Sequence, residues 1–123
     1  MAKYLFPVYT NPVSPEREAE FNRHYDNVHL ADVIEVPGFV AATRYKICKT
    51  QFPNNPAPIT HHYLAVYEIE TDDIEGTMKA LMAQLPNMTP SECIDLAHMH
   101  APLLEQTGPR LLAEDVRRAR ARK

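Results

Sequence analysis

Hydrophobic and polar positions along the chain change period several times, and each change marks an element. Residues 3–9, KYLFPVY, set Tyr4, Phe6 and Val8 against Leu5 and Tyr9, the two-residue period of a strand. Pro7 lacks a backbone donor, which puts this strand at an edge or at a local break in the ladder. Ser14-Pro15-Glu16 opens a helix: a hydroxyl at the N-cap, proline at the first helical position, and an acid near the positive end of the dipole. The helix is expected from Pro15 to about Ile34, because Pro37-Gly38 cannot continue it. Residues 39–48, FVAATRYKIC, predict a second strand, and the proline- and asparagine-rich run 51–61, QFPNNPAPITH, a loop. In residues 62–70, HYLAVYEIE, Tyr63, Ala65, Tyr67 and Ile69 alternate with His62, Leu64, Val66 and Glu68, a third strand. Asp72-x-x-Glu75 then offers an aspartate cap for a second helix. Its stripe is Ile74, Met78, Leu81, Met82 and Leu85, and Pro86 and Pro90 end it. A last extended segment falls within 97–112, made irregular by Pro102 and Gly108-Pro109.

The order β-α-β-β-α-β predicts an α+β, ferredoxin-like protomer with an antiparallel sheet. One domain over residues 1–113 is expected, followed by a basic tail over 114–123. The two helices cover one face of that sheet. Strands two and three are apolar on both faces, with Phe39, Ala41, Tyr45 and Ile47 against Val40 and Ala42, and Tyr63 and Tyr67 against Leu64 and Val66. A sheet with a solvated back alternates apolar with polar, so the second face is expected to meet the sheet of a second copy in a homodimer.

Composition sharpens this picture more than it changes it. With 123 residues and 45% hydrophobic content, one domain can bury a core without disulfides or metal. No apolar run approaches the ~20 residues that cross a bilayer, and the N-terminal stretch lacks the features of a signal peptide. A soluble cytoplasmic protein is the expectation. The net charge of −3 hides an asymmetry: residues 117–123, RRARARK, hold five of the thirteen basic residues. The remainder sets eight basic against sixteen acidic residues, a charge of −8. An acidic body argues against nucleic acid as a partner. The basic tail could touch RNA or anionic lipid, but a frayed, solvated terminus is expected, with neither nucleic acid nor membrane as a partner. Cys48 and Cys93 match no paired motif and are expected to be buried, reduced thiols. Three glycines leave no room for a nucleotide-phosphate loop, and no GxSxG elbow occurs around the two serines, Ser14 and Ser91.

Candidate chemistry concentrates in the first helix. At about 100° per residue, Phe21, Tyr25, Val28 and Asp32 share a narrow stripe, with His29 about 40° from Tyr25. Tyr25 and His29, at i and i+4, can reach one pocket, and Asp32 lies one turn beyond on the same side. A carboxylate beside an imidazole fixes its tautomer and raises its basicity, as a general base requires. The structural alternative is that His29 caps strand carbonyls while Asp32 receives backbone donors near Val36-Pro37-Gly38.

The run Phe21-x-x-x-Tyr25-x-x-x-His29-Leu30, followed by Val36-Pro37-Gly38-Phe39, resembles the EthD-like branch of the dimeric α/β-barrel superfamily. The third strand and the acid-capped second helix are similar to that branch as well. The resemblance covers roughly residues 3–112 and is sharp in 21–39 and 62–75. It implies a ferredoxin-like protomer, a dimer with facing sheets, a pocket between helices and sheet, and His29 as principal candidate with Tyr25 beside it. The branch includes cofactor-free monooxygenases, polyketide cyclases, dehydratases and proteins without assigned activity. Leu30-Ala31 departs from its pattern, which often has a proline after the histidine motif, and neither the loop 51–61 nor His98-Met99-His100 belongs to it.

His98 and His100, at i and i+2, point to one face of an extended segment. With His61-His62 or Cys93 they would give nitrogen and sulfur ligands, but no HxxxH or HExxH accompanies them, so no metal site is assigned. Arg44, within an apolar strand, and Arg110, beside Gly108-Pro109, are candidates to bind a substrate carboxylate or enolate. For Arg44 the alternative is an ion pair with Glu68. The expected activity is acid–base chemistry without a cofactor on an aromatic or polyketide-like carbonyl compound, of cyclase, dehydratase or other lyase or isomerase type. His29 moves the proton, Asp32 orients it, and Tyr25, with Tyr67, stabilises the oxyanion; Phe21 and the tyrosines line the pocket. A cofactor-free monooxygenase is the nearest variant. A non-catalytic dimer that binds a small ligand is the rival from another class.

Overall fold

The computed structural model describes residues 1–54 and 57–122, so Asn55 and Pro56 of the expected loop and Lys123 of the tail lie outside the described residues. Four strands, β1 (Ala2–Thr10), β2 (Phe39–Lys46), β3 (Tyr63–Thr71) and β4 (Leu104–Glu105), form one antiparallel sheet in the order β2-β3-β1-β4. This is the ferredoxin-like α+β arrangement. Its helices are α1 (Glu18–His24), α2 (Leu30–Ile34), α3 (Ile74–Gln84) and α4 (Ala113–Ala121).

The register sets Tyr4, Phe6, Val8 and Thr10 of β1 opposite Ile69, Tyr67, Ala65 and Tyr63 of β3. Those eight side chains share the helix-covered face, and Phe39, Ala42, Arg44 and Lys46 of β2 extend it. Val8, Tyr63, Ala65, Tyr67 and Ile69 are buried there with Phe21, Tyr25, Val33, Val36 and Leu81 from the helical layer. A register shift between Phe39 and Ala41 returns β2 to pairing after the turn at Gly38. Gly38 has φ of +99°, and a β-carbon there would lie 3.1 Å from the Thr77 side chain. A side chain is thus opposed by both backbone and space.

Of the two places expected for Pro7, the structure shows the local break: β1 lies inside the sheet, but its ladder on the β4 side is interrupted around Pro7. The N–H of Tyr9 donates to His100 O at 2.7 Å, and Lys3 O accepts from Gln106 N. Pro7, two residues from Tyr9, faces the same flank. Its missing donor therefore falls beside residues 101–103, where β4 has not yet begun. That explains both why proline is tolerated and why β4 is two residues long.

The first helix is less regular than its periodicity suggests. It begins as a 3-10 turn at Pro15–Arg17, and the Ser14 side chain makes no capping bond. Between α1 and α2 lies a π turn, Tyr25–His29. A π turn holds about one residue more than an α turn, so the face that follows is displaced by one position. Val33 and Val36 consequently enter the core, 3% and 2% exposed, while Asp32 is only half-buried. At α3 the cap is Asp73, not Asp72: its carboxylate accepts from Gly76 N at 3.0 Å. Thr77 and Leu81 are buried on its inner face, whereas Met82 and Leu85 are exposed.

On the opposite face of the sheet Leu5, Tyr45 and Leu104 are exposed and Leu64 and Val66 half-buried. The tail is helical over Ala113–Ala121, has Glu114 and Asp115 in its first turn, and buries no residue. No helix is long and apolar enough to cross a membrane, among the described residues. Cys48 is exposed, contrary to expectation, and Cys93 is buried; both are free thiols.

Candidate functional site

Three elements converge under the π turn. Phe21 and Tyr25, one helical turn apart, meet edge to face at 5.1 Å, and Phe21 packs on Tyr63 of β3 at the same distance. Arg44 of β2 reaches into this aromatic group. Its guanidinium carbon lies 4.7 Å from the Tyr25 ring centre, 5.3 Å from Tyr63 and 5.4 Å from Phe21. One guanidinium nitrogen, Nη1, donates to Asp26 of the π turn at 3.0 Å. Asp26 is therefore the ion-pair partner of Arg44, in place of the expected Glu68, which is exposed and paired in register with Ala41.

Tyr25 is buried, and the Thr10 hydroxyl donates to its phenol oxygen at 3.3 Å. Burial pushes the Tyr25 pKa up; the Thr10 bond and the Arg44 charge oppose this, and Cys93 adds to it. Tyr67, on the same face of β3, is 1% exposed. Its phenol is held well above the usual range by burial and by Tyr25, with Arg44 pulling the other way. Both phenols are O–H donors throughout the physiological range.

His29 closes the π turn with its ring edge-on to Tyr25 at 5.0 Å and 5.9 Å from His24. Partial burial lowers its pKa below the ordinary 6.5; the neighbouring His24 lowers it further, and Asp32 opposes the shift. The shift disfavours the imidazolium, so the net effect of the surroundings is opposite to the raised basicity expected from Asp32. Asp32 makes no hydrogen bond to it. The Asp32 carboxylate accepts from Thr89 N at 3.3 Å, in the segment after α3. The π turn accounts for this, since it rotates Asp32 away from the stripe that an uninterrupted helix gives it.

The expected residues therefore divide. Phe21, Tyr25, His29, Arg44 and Tyr67 are brought into one neighbourhood under the first helix. Asp32 faces the α3 side, where Glu35, Val36, Pro37, Gln84, Asn87 and Met88 join it around a cleft of about 200 Å³. Arg110 lines a different cleft of about 630 Å³ with Lys3, Glu68, Glu70 and Leu104. A further cleft of about 630 Å³ runs beside Gly38, Thr71 and Thr77. None of the three is lined by Tyr25, His29, Arg44 or Tyr67. Aromatic rings fill the space between first helix and sheet.

Two residues of the site were not singled out from sequence. Thr10 follows Tyr4, Phe6 and Val8 on one face of β1, a signal that the strand's period carries one residue further. Asp26 gave no signal, because its reach to Arg44 depends on the π turn. The histidines near the C-terminal half behave as structural groups: His98 Nδ1 lies 2.8 Å from the Asp95 carboxylate, His61 Nε2 lies 2.6 Å from His98 O, and His100 bridges to Tyr9. Among the described residues no group of three or more His, Cys, Asp or Glu could hold a metal ion.

No protein-family model matches the chain, and no curated protein does. Among solved structures, the chain is similar to an ethyl tert-butyl ether D (EthD) family protein from Bacillus halodurans C-125. That likeness covers 87% of this chain and 100% of the other, at 14% identity and a TM-score of 0.45. It is also similar to HapK from Hahella chejuensis over 92% of this chain and 99% of that one, at 20% identity and a TM-score of 0.44.

Proposed function

We propose that the protein performs acid–base chemistry without a cofactor on a small aromatic or polyketide-like carbonyl compound, as a cyclase, dehydratase or other lyase or isomerase. The observation that carries this reading is the half-buried His29 imidazole, packed edge-on against the buried Tyr25 ring at 5.0 Å. His29 accepts a proton from the carbon next to the substrate carbonyl. With the π turn lifted from β2, the phenols of Tyr25 and Tyr67 and the Arg44 guanidinium face the oxygen on which charge then develops. Phe21 and Tyr63 supply flat apolar walls. Asp32 acts on His29 only through space, as a negative charge that favours the imidazolium. His29→Ala is expected to lower kcat by about 10²–10⁴-fold on a substrate found by thermal-shift screening. Full turnover in that variant sinks the reading.

Asp32 is bonded to Thr89 N and not to His29, and this favours a second reading, a binding protein without catalysis. Histidine titration by NMR separates the two. A His29 pKa near that of free imidazole, unmoved by ligands, supports the binding protein. We also propose a homodimer formed through the exposed apolar face of the sheet, supported by Leu5, Tyr45 and Leu104 on that face.

A further inference from the structure

Two buried side-chain atoms under the first helix have no hydrogen-bond partner among the described residues: Nη2 of Arg44 and the phenol oxygen of Tyr67. Folded proteins pair nearly all such groups, and an exception asks for a reason. These two are neighbours. Arg44 stands opposite Ala65 and Tyr67 opposite Ala42, so they are diagonal across β2 and β3 on one face, within mutual reach of long side chains. The Arg44 charge also acts on the Tyr67 phenol, as does Tyr25. Of the rest of the guanidinium, Nη1 is bonded to Asp26, and the rings of Phe21, Tyr25 and Tyr63 lie within 5.4 Å of its central carbon.

Both unpaired groups are donors, and one carries a positive charge. The rings around them suit a flat, apolar body. We infer that they receive a delocalised oxyanion, a carboxylate or the enolate of a 1,3-dicarbonyl compound, with Arg44 Nη2 and the Tyr67 hydroxyl donating to its oxygens. This assigns the charge class of the ligand and rests on the small-molecule reading above. An unpaired donor pair selects against a neutral ligand, because a weaker acceptor leaves the charge of Arg44 uncompensated at that edge. Neither atom meets solvent, so the inference entails that the π turn lifts from β2 when the ligand binds. The tie it must release is the pair of Arg44 with Asp26, whose side chain is 57% exposed.

The test uses the full chain and two matched pairs of probes at pH 8: benzoate with benzamide, and 1,3-cyclohexanedione, an enolate at that pH, with cyclohexanone. Isothermal titration is expected to show at least one anion binding tenfold or more tighter than its neutral partner. The pair that shows it distinguishes carboxylate from enolate. Arg44→Gln is expected to erase the preference, and Tyr67→Phe to weaken anion binding about five- to tenfold, both with a native circular dichroism spectrum. Equal binding of anion and neutral analogue, no binding of either anion at millimolar concentration, or an undiminished preference in folded Arg44→Gln overturns the inference. His29→Ala is expected to keep the anion preference. Its loss of turnover, or lack of loss, reports separately on the acid–base reading.

Discussion

Tyr67→Phe removes one oxygen atom and leaves everything else in place. The ring keeps its neighbours Phe6, with centroids 6.0 Å apart, and Phe39, at 5.9 Å. Tyr67 is 1% exposed and its hydroxyl has no partner among the described residues. Burying such a group unpaired costs about 1–3 kcal/mol relative to its hydrated state in the unfolded chain. Taking the lower end, Phe at this position stabilises the fold by about 1 kcal/mol. For a domain of this length that corresponds to a rise of roughly 3–5 °C in Tm. Most core tyrosine substitutions go the other way, because they strip a bonded hydroxyl. Urea and thermal denaturation of the two proteins, followed by circular dichroism at equal concentration, measure the difference. A loss of about 1 kcal/mol or more in the variant would mean that the hydroxyl is bonded, and the case for a receptive donor at Tyr67 would collapse with it. A more stable protein that binds an anion less well is the combination that marks a functional group kept against the interest of stability.

Four other outcomes follow from the same geometry. Burial holds the native His29 pKa below 6.5, so the unfolded chain takes up this proton first as pH falls; the stability concerned is present above about pH 6.5 and declines on acidification through the native value. His29→Gln should therefore flatten the acid-side slope of unfolding free energy in urea titrations, and an unchanged slope contradicts this. Val33→Ala is expected to cost about 2 kcal/mol and Asp32→Ala less than about 1, the reverse of what an uninterrupted helix implies; equal losses would remove the π turn from the account. Asp73→Ala, which frees Gly76 N, should lower stability by about 1 kcal/mol, whereas Asp72→Ala should be nearly silent in the same denaturation assay. Placing glutamates at Leu5 and Tyr45 should leave a folded protein that sediments as one chain where the wild type sediments as two; a wild type that sediments as one chain refutes the proposed dimer.

Much of the architecture was written in local pattern. The two-residue period of β1 and β3, the turn at Pro37-Gly38 and the acid-capped second helix are set by which neighbours in sequence share a face, and they fix strand order through the β-α-β-β-α-β succession. The spacing of Tyr25 and His29 likewise placed their rings side by side. What the sequence left undetermined depends on contacts between distant segments. A single additional residue in the turn Tyr25–His29 moves Val33 into the core and takes Asp32 to Thr89. The same turn brings Asp26 to Arg44 across eighteen positions. Periodicity assumes a constant rotation per residue, so it cannot register a local change of pitch. Nor can it show which buried donors end without an acceptor, because pairing is decided by where all the other chains of atoms come to rest. The sequence determined which residues share the helix-covered face; tertiary packing decided that Arg44 and Tyr67, rather than Asp32, lie beside Tyr25.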